Sequence, residues 1–202
     1  MKHAVVFAHP KLRSLTATVA ETYAEAARGL GHEAIVRDLY RMEFDPCLKA
    51  GEIPGPEGHQ AASDVQAERK LLADVDVFAF VYPLWFNAPP AILKGYVDRV
   101  FSMGFGYEPG AGGSEPLLGG RRLISFTTSG APEHWVRDTG ALSALHTLFD
   151  NHLAGVCGLT VADHVHVGGI VSGLTEEWVE TIRGDVRAAV RRHFAEPTAA
   201  LP

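Results

Sequence analysis

With 202 residues, 47% of them hydrophobic and 21% charged, the chain has the composition of a folded globular protein, which excludes wholesale disorder, and its length fits one domain. A formal charge of −6 disfavours any non-specific grip on nucleic acid or anionic lipid, because both surfaces repel an acidic protein. No run reaches the roughly 20 apolar residues that cross a bilayer. The N-terminal MKHAVVFAHPKLRS is broken by His-Pro where a signal peptide would continue, and Cys47 and Cys157 lie far apart without a CxxC. The expectation is a cytoplasmic protein with no membrane insertion, no disulfide framework and free, mostly buried thiols.

Strand and helix signals alternate along the chain, the pattern of a parallel sheet covered on both faces. His3 to Ala8 is a short apolar strand stopped by Pro10. From Ser14, the residues Leu15, Val19, Tyr23, Ala26 and Leu30 recur every three or four positions, one face of a helix with Gly31 at its C-cap. Glu33 to Leu39 is the second strand. Periodicity then fails from Tyr40 to Ala62, through Pro46, Gly51, Pro54, Gly55, Pro56 and Gly58, so this long loop is read as functional or mobile. Ser63-Asp64-Val65-Gln66 has capping-box spacing and predicts a helix running to Asp74.

Val75 to Tyr82 is almost wholly apolar, as a central strand buried on both faces requires. Pro89-Pro90 opens a third helix whose apolar face is Ile92, Leu93, Tyr96, Val97, Val100 and Phe101. A Gly-rich loop from Gly104 to Gly120 leads to the fourth strand, Leu123 to Thr128. A helix carrying Leu142, Leu145, Phe149 and Leu153 follows, then the fifth strand, Leu159 to Val167, which leaves through Gly168-Gly169. Thr175-Glu176-Glu177 starts the last helix, with core face Trp178, Ile182, Val186 and Val190, and Pro197 marks its end. Residues 1–196 are thus expected to form one domain and 197–202 a tail.

Ligands of an open α/β sheet sit beyond the carboxyl ends of its strands, which directs attention to the loops there. The first, Ala8 to Thr16, turns into a helix start where free amides, the Ser14 and Thr16 hydroxyls and the His9 and Arg13 charges suit an anionic phosphate; an N-cap beside a surface basic pair is the alternative. The second, Tyr82 to Pro90, carries Trp85 and Phe86, which either pack on the core's end or meet something flat such as an isoalloxazine. The third, Thr127 to Trp135, has small residues that let a ligand approach the backbone, with His134 and Trp135 able to reach over it. No Ser-His-Asp or Cys-His set can be assembled, and the other histidines, His164 and His166 included, lack a metal-binding spacing. Reactivity is therefore expected from a bound cofactor.

Three segments, AHPKLRSLT, YPLWFNAPPAILKGYVDRVFSMGFGYEP and SFTTSGAPEHW, together resemble the NAD(P)H:quinone oxidoreductases of the flavodoxin-like superfamily, including DT-diaphorase-like, modulator-of-drug-activity and potassium-efflux ancillary reductases. The resemblance runs to about Phe194. It implies a flavodoxin-like, doubly wound five-stranded parallel sheet of order 2-1-3-4-5. It also implies a bound FAD, with FMN as alternative, and NAD(P)H as co-substrate. The working unit it implies is a homodimer with active sites at the interface. By this likeness His9, Ser14, Leu15 and Thr16 form the phosphate loop, and Pro83, Leu84, Trp85, Phe86 and Asn87 lie under the flavin. Thr127, Thr128, Ser129 and Gly130 follow the flavin's polar edge, and Tyr107 borders the substrate pocket.

The implied activity is two-electron, ping-pong transfer of hydride from NAD(P)H through the flavin to quinones or similar flat acceptors. Trp135 stands where DT-diaphorase-like enzymes have a Tyr, and Ala141 where they have a His, so His134 becomes the nearest charge-stabilising group. Rival readings are an azo-, nitro- or flavin reductase of the same fold, a flavin-binding ancillary subunit of a membrane transporter, and a one-electron flavodoxin carrier.

Overall fold

The computed structural model describes residues 1–55 and 58–196; Pro56, Pro197 and the 197–202 tail lie outside the described residues. Five parallel strands, β1 (Lys2–Phe7), β2 (Glu33–Asp38), β3 (Val77–Pro83), β6 (Arg122–Thr128) and β7 (Thr160–Val167), make one sheet in the order β2-β1-β3-β6-β7, the order expected. All of β3 is buried because its alternate residues serve two cores. Phe78, Phe80 and Tyr82 pack toward α2 (Ser63–Leu72), α3 (Ala91–Val100) and the segments α4 (Glu133–Asp138), α5 (Ala141–Leu145) and α6 (His152–Cys157). Val77, Ala79 and Val81 pack toward α1 (Leu15–Gly29) and α7 (Glu176–Phe194).

Pairing between β6 and β7 is not uniform. Leu123 faces Val161, but Ile124 faces Asp163, so one extra residue bulges out of β7 and the register resumes with Ser125 beside His164 and Thr127 beside His166. These histidines therefore lie on the α4–α6 side of the sheet.

Several local expectations are corrected. The Gly104–Gly120 segment is not loop throughout: β4 (Tyr107–Gly110) and β5 (Gly113–Pro116) form an antiparallel hairpin. Ser63 does not cap its helix but is its first residue, with Ala62 at the N-cap, and the Gln66 amide donates to Ala61 O (2.6 Å). The helix ends at Leu72, with Ala73 as a C-cap that keeps helical angles and donates its N–H to Lys70 O (3.5 Å), short of Asp74. The single helix read through Leu142 to Leu153 is instead α5, a π-turn over His146–Asn151, and α6. Trp178, placed on the core face of α7, is 43% exposed, since it lies in the first turn before the helix reaches the sheet. Cys47 is exposed while Cys157 is buried.

The long segment after β2 is held by charge rather than by secondary structure. The buried Arg99 guanidinium on α3 donates from Nε to Glu52 (3.0 Å), and from Nη1 to Asp64 (2.7 Å) and the Asp45 carbonyl (2.6 Å). Its Cζ lies 5.2 Å from the Phe44 ring centroid. The same loop packs on α3 at Gly95, where a Cβ would fall 2.2 Å from Pro46 O, so only glycine allows the approach. Removing one partner of such a buried pair strands the other charge, which makes this clamp the anchor of the loop.

Candidate functional site

At the carboxyl edge of the sheet each strand extension is tied to its neighbour. Ala8 N donates to Val81 O (3.1 Å), Leu84 N to Thr128 O (2.7 Å) and Ser129 N to Val167 O (3.0 Å). Between these loops opens a cleft of about 210 Å³ lined by His9, Leu15, Thr16, Pro83, Leu84, Trp85, Thr128, Ser129, Gly130 and Ile170. The three loops singled out in the sequence thus converge on one space.

On one side lies the start of α1. Ser14 has extended backbone, and its Oγ accepts from Ala17 N (3.1 Å), a serine N-cap. The amides of Leu15 and Thr16 have no partner within the helix and face its positive end. Thr16 Oγ1 lies 3.4 Å from Thr128 Oγ1, joining two loops at the cleft floor. His9 Nδ1 accepts from Lys11 N (3.1 Å), which leaves the proton of the neutral ring on Nε2. Burial holds the His9 pKa below its ordinary value, and its ring centroid is 6.3 Å from that of Trp85. Ser14 itself faces a separate hollow with Arg13, Glu176 and Arg183, so its part is to shape the helix start.

The second loop is a tight reversal. Trp85 N donates to Ala88 O (3.1 Å) and Ala88 N to Trp85 O (3.2 Å), and between them Phe86 and Asn87 take φ of 53° and 55°. Two successive left-handed residues in a two-residue loop make a type I′ turn, ordinarily the place of Asn and Gly. A phenylalanine there is strained, and its side chain is fully exposed while Trp85 is 43% exposed. Neither aromatic is packed away on the core. The Phe86 and Asn87 amides lie outside the two hydrogen bonds of the turn.

Other predicted residues stand apart from the cleft. Thr127 is buried, its Oγ1 2.8 Å from both His164 Nε2 and His166 Nδ1. His166 Nε2 lies 3.1 Å from Ser129 Oγ, which also donates to Ala131 O (2.9 Å). Burial, reinforced by His164 beside it, pushes the His166 pKa down to about 4. His134 and Trp135 are exposed on α4 and do not line the cleft. Tyr107 opens β4 and borders another cavity of about 240 Å³ with Lys94, Phe149 and Cys157. An apolar cavity of about 470 Å³ lies between the Asn87–Pro89 segment and Leu145 and Leu148. Sequence reading missed His146, Asp150, His164 and His166 as a group. The available signal was the alternation of His164 and His166, which puts both on one face of a strand.

A strained aromatic turn, a helix start with free amides and small residues at a third strand end, all on a 2-1-3-4-5 sheet, agree with what comparison by sequence returns: the Flavodoxin_2 profile, described as a flavodoxin-like fold, matches residues 1–190. The chain belongs to this family. An NAD(P)H oxidoreductase of Haemophilus influenzae, named as uncharacterized, is 34% identical over 160 residues, 79% of each chain. The ribosyldihydronicotinamide dehydrogenase [quinone] of Pongo abelii is 32% identical over 151 residues, 66% of this chain and 65% of the relative, so the chain spans about two thirds of that longer protein. Among solved structures, the NAD(P)H:quinone oxidoreductase of Methanothermobacter marburgensis superposes over 99% of both chains with a TM-score of 0.82 at 27% identity. An FMN-dependent NADH-azoreductase of Bacillus anthracis, solved with FMN, covers 95% of this chain and 99% of its own with a TM-score of 0.70; at 19% identity it shows the shared fold. Among the described residues no helix is long and apolar enough to cross a membrane.

Proposed function

We infer that the protein is a flavin-dependent NAD(P)H oxidoreductase that reduces quinones or related flat acceptors. The observation that carries this is the Trp85–Ala88 turn, which holds two exposed aromatics and two unpaired amides at a strained φ, beside a helix start shaped for phosphate. Such strain persists where a ligand uses it. The residues fit a flavin: the Leu15 and Thr16 amides would take its phosphate, Pro83 to Asn87 would lie under the ring, and the Thr128 to Gly130 backbone would follow its polar edge. When bound, a flavin supplies hydride exchange between NAD(P)H and the acceptor in two-electron, ping-pong fashion. The protein's own part is to orient the ring, to offer backbone N–H groups where negative charge develops, and to shape the acceptor's approach.

The flavin is proposed to be FAD. Support comes from Arg41 Nη2, which donates to Pro10 O (2.6 Å) and so starts the 40–62 loop alongside the phosphate loop, where an adenylate would extend. The working unit is proposed to be a homodimer with Tyr107 near the acceptor pocket. Phe86, Trp135 and Leu148 supply exposed apolar surface for such a contact.

The test is the absorption spectrum of the purified protein, identification of the released flavin, and anaerobic addition of NAD(P)H. The flavin band should bleach and return with a quinone; a colourless protein that neither flavin reconstitutes overturns the reading. Sedimentation showing a fully active monomer removes the dimer.

A further inference from the structure

Below the cleft, on the α4–α6 side of the sheet, His146, Asp150 and His164 each offer one ligand atom, and these atoms lie within 4.8 Å of one another. We propose that they bind a divalent transition-metal cation of the zinc type through two imidazoles and one carboxylate. This site is separate from the flavin cleft and does not depend on the function proposed above.

Asp150 is the reason to look here. It is 1% exposed, and its partners are Ser125 Oγ (2.8 Å) and His164 Nδ1 (2.5 Å). No Arg or Lys pairs with it among the described residues. A carboxylate taken out of water needs positive charge close by. A cation supplies it.

His146 gives the second, independent observation. Its Nε2 is buried and has no hydrogen-bond partner, although its ring centroid is only 4.4 Å from that of His164. An imidazole nitrogen walled off from water and left unpaired is a costly arrangement unless something binds it.

The surroundings of the three ligands have the form of an outer coordination shell. Ligating histidines almost always give their other ring N–H to a fixed partner. With a cation on His164 Nδ1, its Nε2–H donates to Thr127 Oγ1, and the Thr127 hydroxyl donates to His166 Nδ1. His166 Nε2–H then donates to Ser129 Oγ, whose hydroxyl goes to Ala131 O. Every donor in this series finds one acceptor, and Ser125 holds the second oxygen of Asp150. The cation takes the place of the proton on His164 Nδ1; the neutral ring keeps its one proton, now on Nε2, so binding changes the tautomer and leaves the proton count of the ring unaltered.

The backbone agrees. His146 and Asp150 both belong to the π-turn His146–Asn151, a widened stretch of helix of the kind frequent at functional sites. A tetrahedral ion with bonds of about 2.0–2.1 Å sets its ligand atoms roughly 3.3 Å apart. His146 would close in and the Asp150–His164 pair would spread. Three protein ligands leave a fourth position for water, unlike the closed four-ligand structural zinc sites.

Equilibrium dialysis of the purified, chelator-stripped holoprotein against Zn²⁺, with metal counted by atomic emission, should give one tightly held ion per chain. His146→Ala and the size-conserving His146→Gln should each weaken binding at least a hundredfold, with circular dichroism reporting that the fold is kept. Thr127→Val should weaken it about ten- to a hundredfold, as loss of an outer-shell partner does. Zn²⁺ should raise the thermal midpoint of the unaltered protein and not of His146→Gln. Uptake that is absent, or that survives both His146 variants, overturns the site.

Discussion

Replacing Phe86 by Asn should make the flavin-free protein more stable and its hold on flavin weaker. At φ 53° a side chain with a Cβ incurs about 1–2 kcal/mol of left-handed strain, most of which asparagine avoids through its short polar side chain. Because Phe86 is fully exposed, its removal forfeits no buried surface. The net gain is therefore about 0.5–1 kcal/mol after allowing for the altered unfolded chain. For a domain of this size that is a rise of roughly 1–4 °C in Tm. Urea and thermal denaturation of the apoprotein would read the gain, and flavin retained after gel filtration would read the loss. An apoprotein of unchanged or lower stability refutes the strain argument. A stabilised variant that keeps its flavin refutes the contact assigned to the aromatic.

Gly168→Ala should destabilise the fold by about 1–3 kcal/mol in chemical denaturation, since its Cβ would lie 2.4 Å from Glu133 N and 2.9 Å from Ala131 O, both backbone; a loss under about 0.5 kcal/mol would show that the 131–133 loop yields freely. His3 is buried between Tyr23 and His32, and burial, followed by the charge of His32, pushes its pKa down to about 4. Held neutral in the fold but protonated below about 6.5 when unfolded, it should erode stability as pH falls from about 6.5 toward 4. An NMR titration of His3 with its midpoint near 6.5 would contradict this. His134→Ala should slow flavin reduction about a hundredfold or less in stopped flow, because the side chain is exposed and backbone amides remain; a far larger loss would make His134 essential.

The sheet was readable because each strand carries its own evidence: Val77–Pro83 is apolar throughout, and proline or glycine closes most segments. Tyr107–Gly110 and Gly113–Pro116 gave no such evidence, since they read YEPG and GSEP and are largely exposed, so neither propensity nor alternation marks them as strands. Ser63 fails as a cap although the spacing is right, because the chain enters the helix one residue earlier at Ala62. The cleft loops were legible from aromatics and glycines that no periodic core accounts for. The positive φ of Phe86 was not, as a phenylalanine advertises nothing of the kind. The Arg99 clamp and the His146, Asp150 and His164 group join residues tens of positions apart or across a helix and a strand, and only topology brings them together.

The bulge in β7 decides which half of the molecule is polar inside. Before it, Val161 beside Leu123 points to the α4–α6 layer; after it, Asp163 stands beside Ile124, so odd-numbered residues have changed sides. An uninterrupted strand in register from Val161 would turn Val165 and Val167 toward Asp150 and bury His164 and His166 against α1 and α7, among Val186 and Phe126. Excision of the single residue Ala162 would remove the bulge and keep these faces, with Asp163 beside Ile124 and His164 beside Ser125. A one-residue slip of the intact strand, by contrast, would force a choice between losing the edge pairing and exchanging the contents of the two cores.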